Sequence, residues 1–194
     1  MTLEWGRRTI LDRKKEIRGR RAMAKILKSW SGMRKYLEKE MLADSLQGRV
    51  RYNCTTYVGM DGCHIFEVFL DGKLFKQFSW ETVNSYFMEQ GIVAKPEKMT
   101  VVDYWKDFWN LMDEYPMATR NEYTDNEFAE ALEAYRNQDI RESIQSNNPI
   151  VKMFALLDRR VGNRTLGKLE PSMQEEPEWL QQVYAFRIGK MENN

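Results

Sequence analysis

The residue pattern predicts an α+β protein: a three-stranded antiparallel meander flanked by helices, followed by a mostly helical C-terminal half packed on it. Three observations carry that expectation. Residues 50–78 change to a period of two and contain the turn pair Asp71-Gly72. Helix-start signals then recur as Thr100/Asp103, Thr124/Glu127 and Asp139/Glu142. Finally, Asn148-Pro149 opens a helix whose Ile150, Val151, Met153, Phe154, Ala155, Leu156, Leu157 and Val161 wrap nearly the whole cylinder, which marks an element buried on several sides.

Taken in order, the first helix runs from Ser29 to Ala43, with Trp30, Met33, Leu37 and Met41 inward and Arg34, Lys35, Glu38, Lys39 and Glu40 outward. Ser45 to Gly48 breaks it. Val50, Tyr52, Cys54 and Thr56 alternate with Arg49, Arg51, Asn53 and Thr55 as a half-buried strand, and Val58 to Gly62 turns. His64 to Leu70 puts Phe66, Val68 and Leu70 on one face and Ile65, Glu67 and Phe69 on the other. Asp71-Gly72 returns the chain as Lys73 to Phe78. Ser79 caps a helix that ends at Gly91, and residues 92–99 form a loop around Lys95-Pro96. An aromatic helix with Tyr104, Trp105, Phe108, Trp109, Leu111 and Met112 then runs to Pro116. The helix carrying Phe128, Leu132 and Tyr135 and the one carrying Ile140 and Ile144 follow. Asn148 caps the central helix, Pro149 is its first residue, and Gly162 is expected to end it in the left-handed conformation. Pro177 opens a closing helix with Trp179, Leu180, Val183, Phe186 and Ile188 inward.

A chain of 194 residues with 42% apolar and 30% charged residues fits one domain with a full core. No apolar run approaches the roughly 20 residues that cross a bilayer, and no secretory apolar stretch stands at the N-terminus, so no membrane association and a cytoplasmic location are expected. Two cysteines, Cys54 and Cys63, make no disulfide framework. The net charge of +1 hides an asymmetry: residues 1–22 hold eight Lys/Arg against three acids, leaving 22 against 26 in the remaining 172. Residues 9–27 read as a basic helix suited to nucleic acid or an anionic membrane surface. The competing reading is an upstream extension outside the natural product. Gly19-Arg20-Arg21-Ala22 is how a purine-rich ribosome-binding sequence translates, and Met23 stands where a start belongs. On that reading residues 23–194 are a single α+β domain.

Chemistry candidates are few. His64 is the only histidine, so a multi-histidine metal centre is excluded, and a nucleophilic pair with Cys63 is disfavoured because adjacent strand residues point to opposite faces. With Cys54, Cys63 and Asp61 it offers a set of metal-ligating types, but a core thiol and a strand-edge imidazole are the favoured reading, and neither metal nor cofactor is expected. Asp103/Asp107, Glu127/Glu130 and Glu175/Glu176 offer carboxylate pairs, the basis for a carboxylate-dependent enzyme as one alternative, although charged helix faces look the same. The cationic group Arg159, Arg160, Arg164 and Lys168 is the candidate anion site, because guanidinium forks suit phosphates and carboxylates. Its competing role is structural, tying helices together through Asp158, Glu170, Glu175, Glu176 or Glu178.

The run Leu157-Asp158-Arg159-Arg160-Val161-Gly162-Asn163-Arg164-Thr165-Leu166, with Pro177-Glu178-Trp179-Leu180 and Leu46-Gln47-Gly48-Arg49-Val50, resembles a family of uncharacterised bacterial cytosolic proteins. The resemblance spans Trp30 to Ile188 and implies no assigned activity, cofactor or catalytic residue. Separately, the helix, three strands, helix order over Trp30 to Gln90 is similar to the double-stranded RNA-binding domain. There the second helix offers basic residues to phosphates, whereas here it begins Ser79-Trp80-Glu81-Thr82. With a net −4 after residue 22, nucleic acid is not the expected partner. The expected function is therefore a non-enzymatic protein-interaction module; phosphate or nucleic-acid binding through Arg159, Arg160, Arg164 and Lys168 is the alternative.

Overall fold

The computed structural model describes residues 21–22, 25–26, 28–56, 64–92, 100, 108, 110–117 and 120–190. Helix α1 (Trp30–Lys35) buries Met33 and continues into a π-helical turn, Tyr36–Met41, that buries Leu37. The expected helix to Ala43 stops earlier because Leu42 is extended and forms an antiparallel bridge with Asp158. A short 3-10 turn, Asp44–Leu46, leads into the sheet.

Strands β1 (Val50–Thr56), β2 (His64–Leu70) and β3 (Lys73–Phe78) form the expected meander in the order β1-β2-β3. Asp71 and Gly72 adopt φ of 48° and 80°, the mirror-image turn whose twist matches that of the strands it joins. In the register Tyr52 faces Val68 and Cys54 faces Phe66. Pairing with β3 slips at Val68/Phe69, so that Lys76, rather than Phe75, stands across from Val68. That irregularity puts a lysine on the same face as buried Phe66 and Phe78, where Lys76 is itself buried.

Helix α2 (Trp80–Glu89) is capped by Ser79, whose hydroxyl accepts from Thr82 N at 3.2 Å, and Gly91 follows it at φ 68°. Val83 and Phe87 of α2 join Phe108 in a small second apolar cluster, with Leu111 and Met112 packed against it. Residues 110–114 are helical. The remainder of the expected aromatic helix, with Tyr104, Trp105, Trp109 and the cap pair partner Asp103, lies outside the described residues, as do Val58–Gly62 and Cys63.

The C-terminal half comprises α3 (Asp125–Asn137), α4 (Ile140–Ile144), α5 (Pro149–Leu157), α6 (Asn163–Met173) and α7 (Glu178–Arg187). Thr124 and Glu127 form the expected reciprocal capping box, and Asp139 caps α4 by accepting from Arg141 N at 2.8 Å. Asn148 Oδ1 accepts from Ile150 N and Val151 N at 2.9 and 3.3 Å, so Asn148-Pro149 opens α5 as expected. Within α5 every side chain except that of Lys152 is buried, and the helix packs on α3, α4 and α7. Phe154 contacts the Tyr52, Phe128 and Tyr135 rings, while Phe128 stacks on Phe66 at 4.5 Å. One aromatic chain thus joins sheet to helices.

Gly162 does not end α5. The helix stops at Leu157, and Gly162, at φ −81°, is the N-cap of α6. The reason is Asp158: its backbone turns extended to bridge Leu42, and its carboxylate accepts from Arg160 N at 2.7 Å, fixing a turn where the apolar pattern alone continues the helix to Val161. Arg159 and Arg160 consequently sit in this turn, not in the last helical turn. Of the basic leader, Arg21 and Ala22 are described, and Ala22 is buried in the main core; Met23 and residues 1–20 lie outside the described residues. Among the described residues no helix is long and apolar enough to cross a membrane.

Candidate interaction site

Asp158 organises the ground on which the predicted cations stand. Its side chain is 0% exposed. The Tyr135 hydroxyl donates to Oδ2 at 2.5 Å, Arg160 Nη2 donates to Oδ2 at 2.6 Å, and Arg160 Nε donates to both oxygens at 3.0–3.1 Å. A buried carboxylate is costly unless paired and hydrogen-bonded, and here both conditions are met. In return burial, with the Asp158 carboxylate beside it, pushes the Tyr135 phenol up, and Asp158 raises the Arg160 guanidinium. The backbone is pinned as well. Ala43 N donates to Leu157 O at 3.0 Å and Arg159 N to Met41 O at 2.7 Å. Arg187 completes the arrangement by donating to Leu156 O at 3.1 Å, Val161 O at 3.0 Å and Ser45 Oγ at 3.3 Å. A cation there satisfies the Leu156 carbonyl, which the end of α5 leaves without a helical partner, and the Val161 carbonyl in the turn beyond it.

The four predicted anion-site residues divide. Arg160 is turned onto Asp158 while its side chain stays 46% exposed. Arg159, beside it, is exposed. Arg164 and Lys168 are exposed one turn apart on α6, across the helix from buried Leu166 and Met173. What the structure gathers around Arg160 is instead a set of tyrosines and another arginine. The Arg160 guanidinium lies 5.9 Å from the Tyr135 ring, and that of exposed Arg136 lies 5.4 Å from the Tyr36 ring. Tyr36 begins the π-helical turn, whose Glu38 accepts from Tyr52 N at 2.7 Å and so covers an edge N–H of β1. Between these elements is a small cavity of about 10 Å³, room for about one water, lined by Leu37, Met41, Leu42, Tyr52, Tyr135, Phe154, Leu157 and Asp158. It falls below the roughly 300–1,000 Å³ usual for small-molecule sites. Arg136 has no signal in the sequence, because its aromatic partner, Tyr36, comes from a helix on the far side of the sheet in the chain order.

A second buried ionic cluster was equally hidden. Lys76 Nζ donates to Asn121 O at 2.5 Å and to Glu122 Oε1 at 2.7 Å, and lies 5.7 and 5.6 Å from the Tyr123 and Trp179 rings. Burial lowers its pKa against the pull of Glu122. Arg120, whose side chain is 1% exposed, pairs with Glu127 and donates to Glu122 O at 3.1 Å. Tyr123, its phenol pushed up to about 12 chiefly by burial, donates to Arg120 O at 2.6 Å. Glu127 thus both caps α3 and neutralises Arg120.

The remaining candidates are mostly engaged. Glu176 pairs with Lys152, and Asp103 and Asp107 lie outside the described residues. His64 N donates to Asp125 at 3.3 Å, and the register puts His64 on the face shared by Cys54 and Phe66. Asp61 and Cys63 lie outside the described residues; among those described, no group of three His, Cys, Asp or Glu is placed to hold a metal ion. Burial, with Asp125 and Glu67 nearby, pushes the Cys54 thiol up to about 11. Alkylation of Cys54, followed by peptide mapping, is therefore expected to accelerate on the order of tenfold per pH unit from neutrality towards pH 11, since the thiolate is the nucleophile. A rate that levels off near pH 8 contradicts this environment.

Residues 29–188 match the model of the SF0329 protein family, and the span over which the sequence motifs show a resemblance, Trp30 to Ile188, falls within that match. No curated protein and no solved structure matches the chain.

Proposed function

The chain belongs to the SF0329 protein family, and we propose that this member is a non-enzymatic protein-interaction module working in the bacterial cytoplasm. The observation that carries the reading is a set of exposed guanidiniums laid on the core's aromatic rings, Arg136 over half-buried Tyr36 and Arg160 over buried Tyr135, with Arg159 next to Arg160 in the chain. Arginine is among the residue types enriched where partner proteins bind, because its guanidinium combines a flat contact area with directional hydrogen bonding. Support for the non-enzymatic half comes from the acids: Asp158 and Glu127 neutralise Arg160 and Arg120. The cellular setting rests on the motif resemblance.

The test is co-purification of the tagged full chain from its native host at physiological salt, beside an Arg136→Glu/Arg159→Glu variant. A stoichiometric partner that disappears in the variant is the expected result. Recovering no partner, or the same partner with both proteins, removes the reading. The exposure of Arg159, Arg164 and Lys168 favours a second reading, phosphate or nucleic-acid binding, against which stands the net −4 of residues 23–194. A gel shift with the full chain across a salt series decides it, and no salt-sensitive binding ends it.

A further inference from the structure

We propose that the partner presents carboxylates, on a short acidic protein segment, to Arg136, Arg159 and the outward edge of Arg160; this rests on the interaction reading above. Arg160 uses Nε and Nη2 on Asp158, and Nη1 makes no hydrogen bond among the described residues. Its guanidinium is therefore held in a fixed plane, with both Nη1 N–H groups available and nearly half the side chain open to solvent. Arg136 and Arg159 are exposed and make no ion pair with an acid among the described residues, in contrast to Arg49 with Asp71 and Lys190 with Glu170.

Rigidity separates this surface from an ordinary solvated charge. Arg159 is fixed through its backbone to Met41, and Arg136 and Arg160 lie over aromatic rings. Less side-chain freedom is lost when Arg136 and Arg160 bind, and a planar fork matches a carboxylate with two parallel hydrogen bonds. Leu37, the chain neighbour of Tyr36, and Tyr135 line the same small cavity, so the Arg136-Tyr36 and Arg160-Tyr135 pairs stand on elements that pack against each other. Charge beyond these pairs selects the length of the ligand. A short acidic segment senses only charges within about 10 Å at 0.1 M salt, whereas a long nucleic acid also meets the net −4 carried by residues 23–194.

The experiment uses the full chain with a fluorescein-labelled poly-glutamate peptide, read by anisotropy at about 50 and about 300 mM salt. Binding at low salt is expected, weakened at least about tenfold at high salt and at least about tenfold in Arg136→Ala/Arg159→Ala, the loss expected for charge-assisted hydrogen bonds. A Lys28→Ala/Arg51→Ala protein, with the same change in charge elsewhere, is expected to bind like the parent. No binding, or equal weakening in both double variants, overturns the inference, as does tighter binding of a single-stranded oligonucleotide of matched charge. If the peptide fails while co-purification still yields a partner dependent on Arg136 and Arg159, the interaction reading survives and only its acidic chemistry is lost. If both fail, the interaction reading goes too.

Discussion

Glu127→Ala is expected to remove about 4–6 kcal/mol of folding stability, the largest effect of any single replacement considered. Two losses combine. The alanine leaves Arg120, 1% exposed, without its carboxylate, and stranding one member of a buried pair costs about 3–5 kcal/mol. It also removes the acceptor for Thr124 N, bonded at 2.8 Å to Glu127, and the loss of capping hydrogen bonds at a helix start costs about 1 kcal/mol. Against a total of about 5–15 kcal/mol for a domain, much of the stability goes. Urea denaturation followed by circular dichroism measures it; a loss under about 1 kcal/mol rejects the buried pair.

A companion variant separates the charge from the packing. Arg120→Met/Glu127→Gln keeps similar volumes, keeps a side-chain acceptor at the third helical position, and leaves no charge without a partner. It is expected to recover most of what Glu127→Ala loses. Arg120 Nε already makes no hydrogen bond among the described residues and is buried, so removing this arginine with its acid also removes a polar atom that burial penalises. A double variant no more stable than Glu127→Ala shows instead that the loss lies in the shape of this corner, where Trp179 Nε1 donates to the Tyr123 hydroxyl at 3.4 Å.

How far the sequence discloses these features depends on the distance between the residues involved. The meander is legible because alternation and the Asp71-Gly72 turn are local, and the α5 start because Asn148 and Pro149 act within one turn. The Arg160-Asp158 pair was open to anticipation as an internal alternative, since the two are two residues apart. What was not legible depends on contacts remote in the chain. The bridge from Leu42 to Asp158 ends α5 early and displaces the role expected of Gly162. The slip in β3 turns Lys76 inward, where a period-two pattern gives no sign of a lysine. Glu127 shows its capping role three residues from Thr124, but its ion pair with Arg120 adds nothing to the local pattern. The stacking of Arg136 on Tyr36 likewise needs the π-helical turn, which no residue in Tyr36–Met41 announces.

Arg160→Met is expected to cost about 2–3 kcal/mol: stranding a buried partner costs about 3–5, reduced here because the Arg160 side chain is 46% exposed and solvent already screens it. Asp158 would keep the Tyr135 hydroxyl and Arg160 N, two donors for a carboxylate that has no access to water. Arg160→Met/Asp158→Asn is expected to recover at least half of the loss, because the amide oxygen still accepts from Tyr135 and no charge remains. The functional consequence separates scaffold from site. Arg136 and Arg159 are untouched in this pair of variants, so a site made only of exposed cations loses no more than the one charge removed. If Asp158 instead sets the turn that carries Arg159, then Asp158→Ala, which leaves all three arginines in place, also weakens poly-glutamate binding, by about tenfold for the loss of one fixed charge-assisted contact. Full binding by Asp158→Ala, measured at a temperature where the variant is folded, means that the turn holds its shape without the acid and that Asp158 serves stability alone.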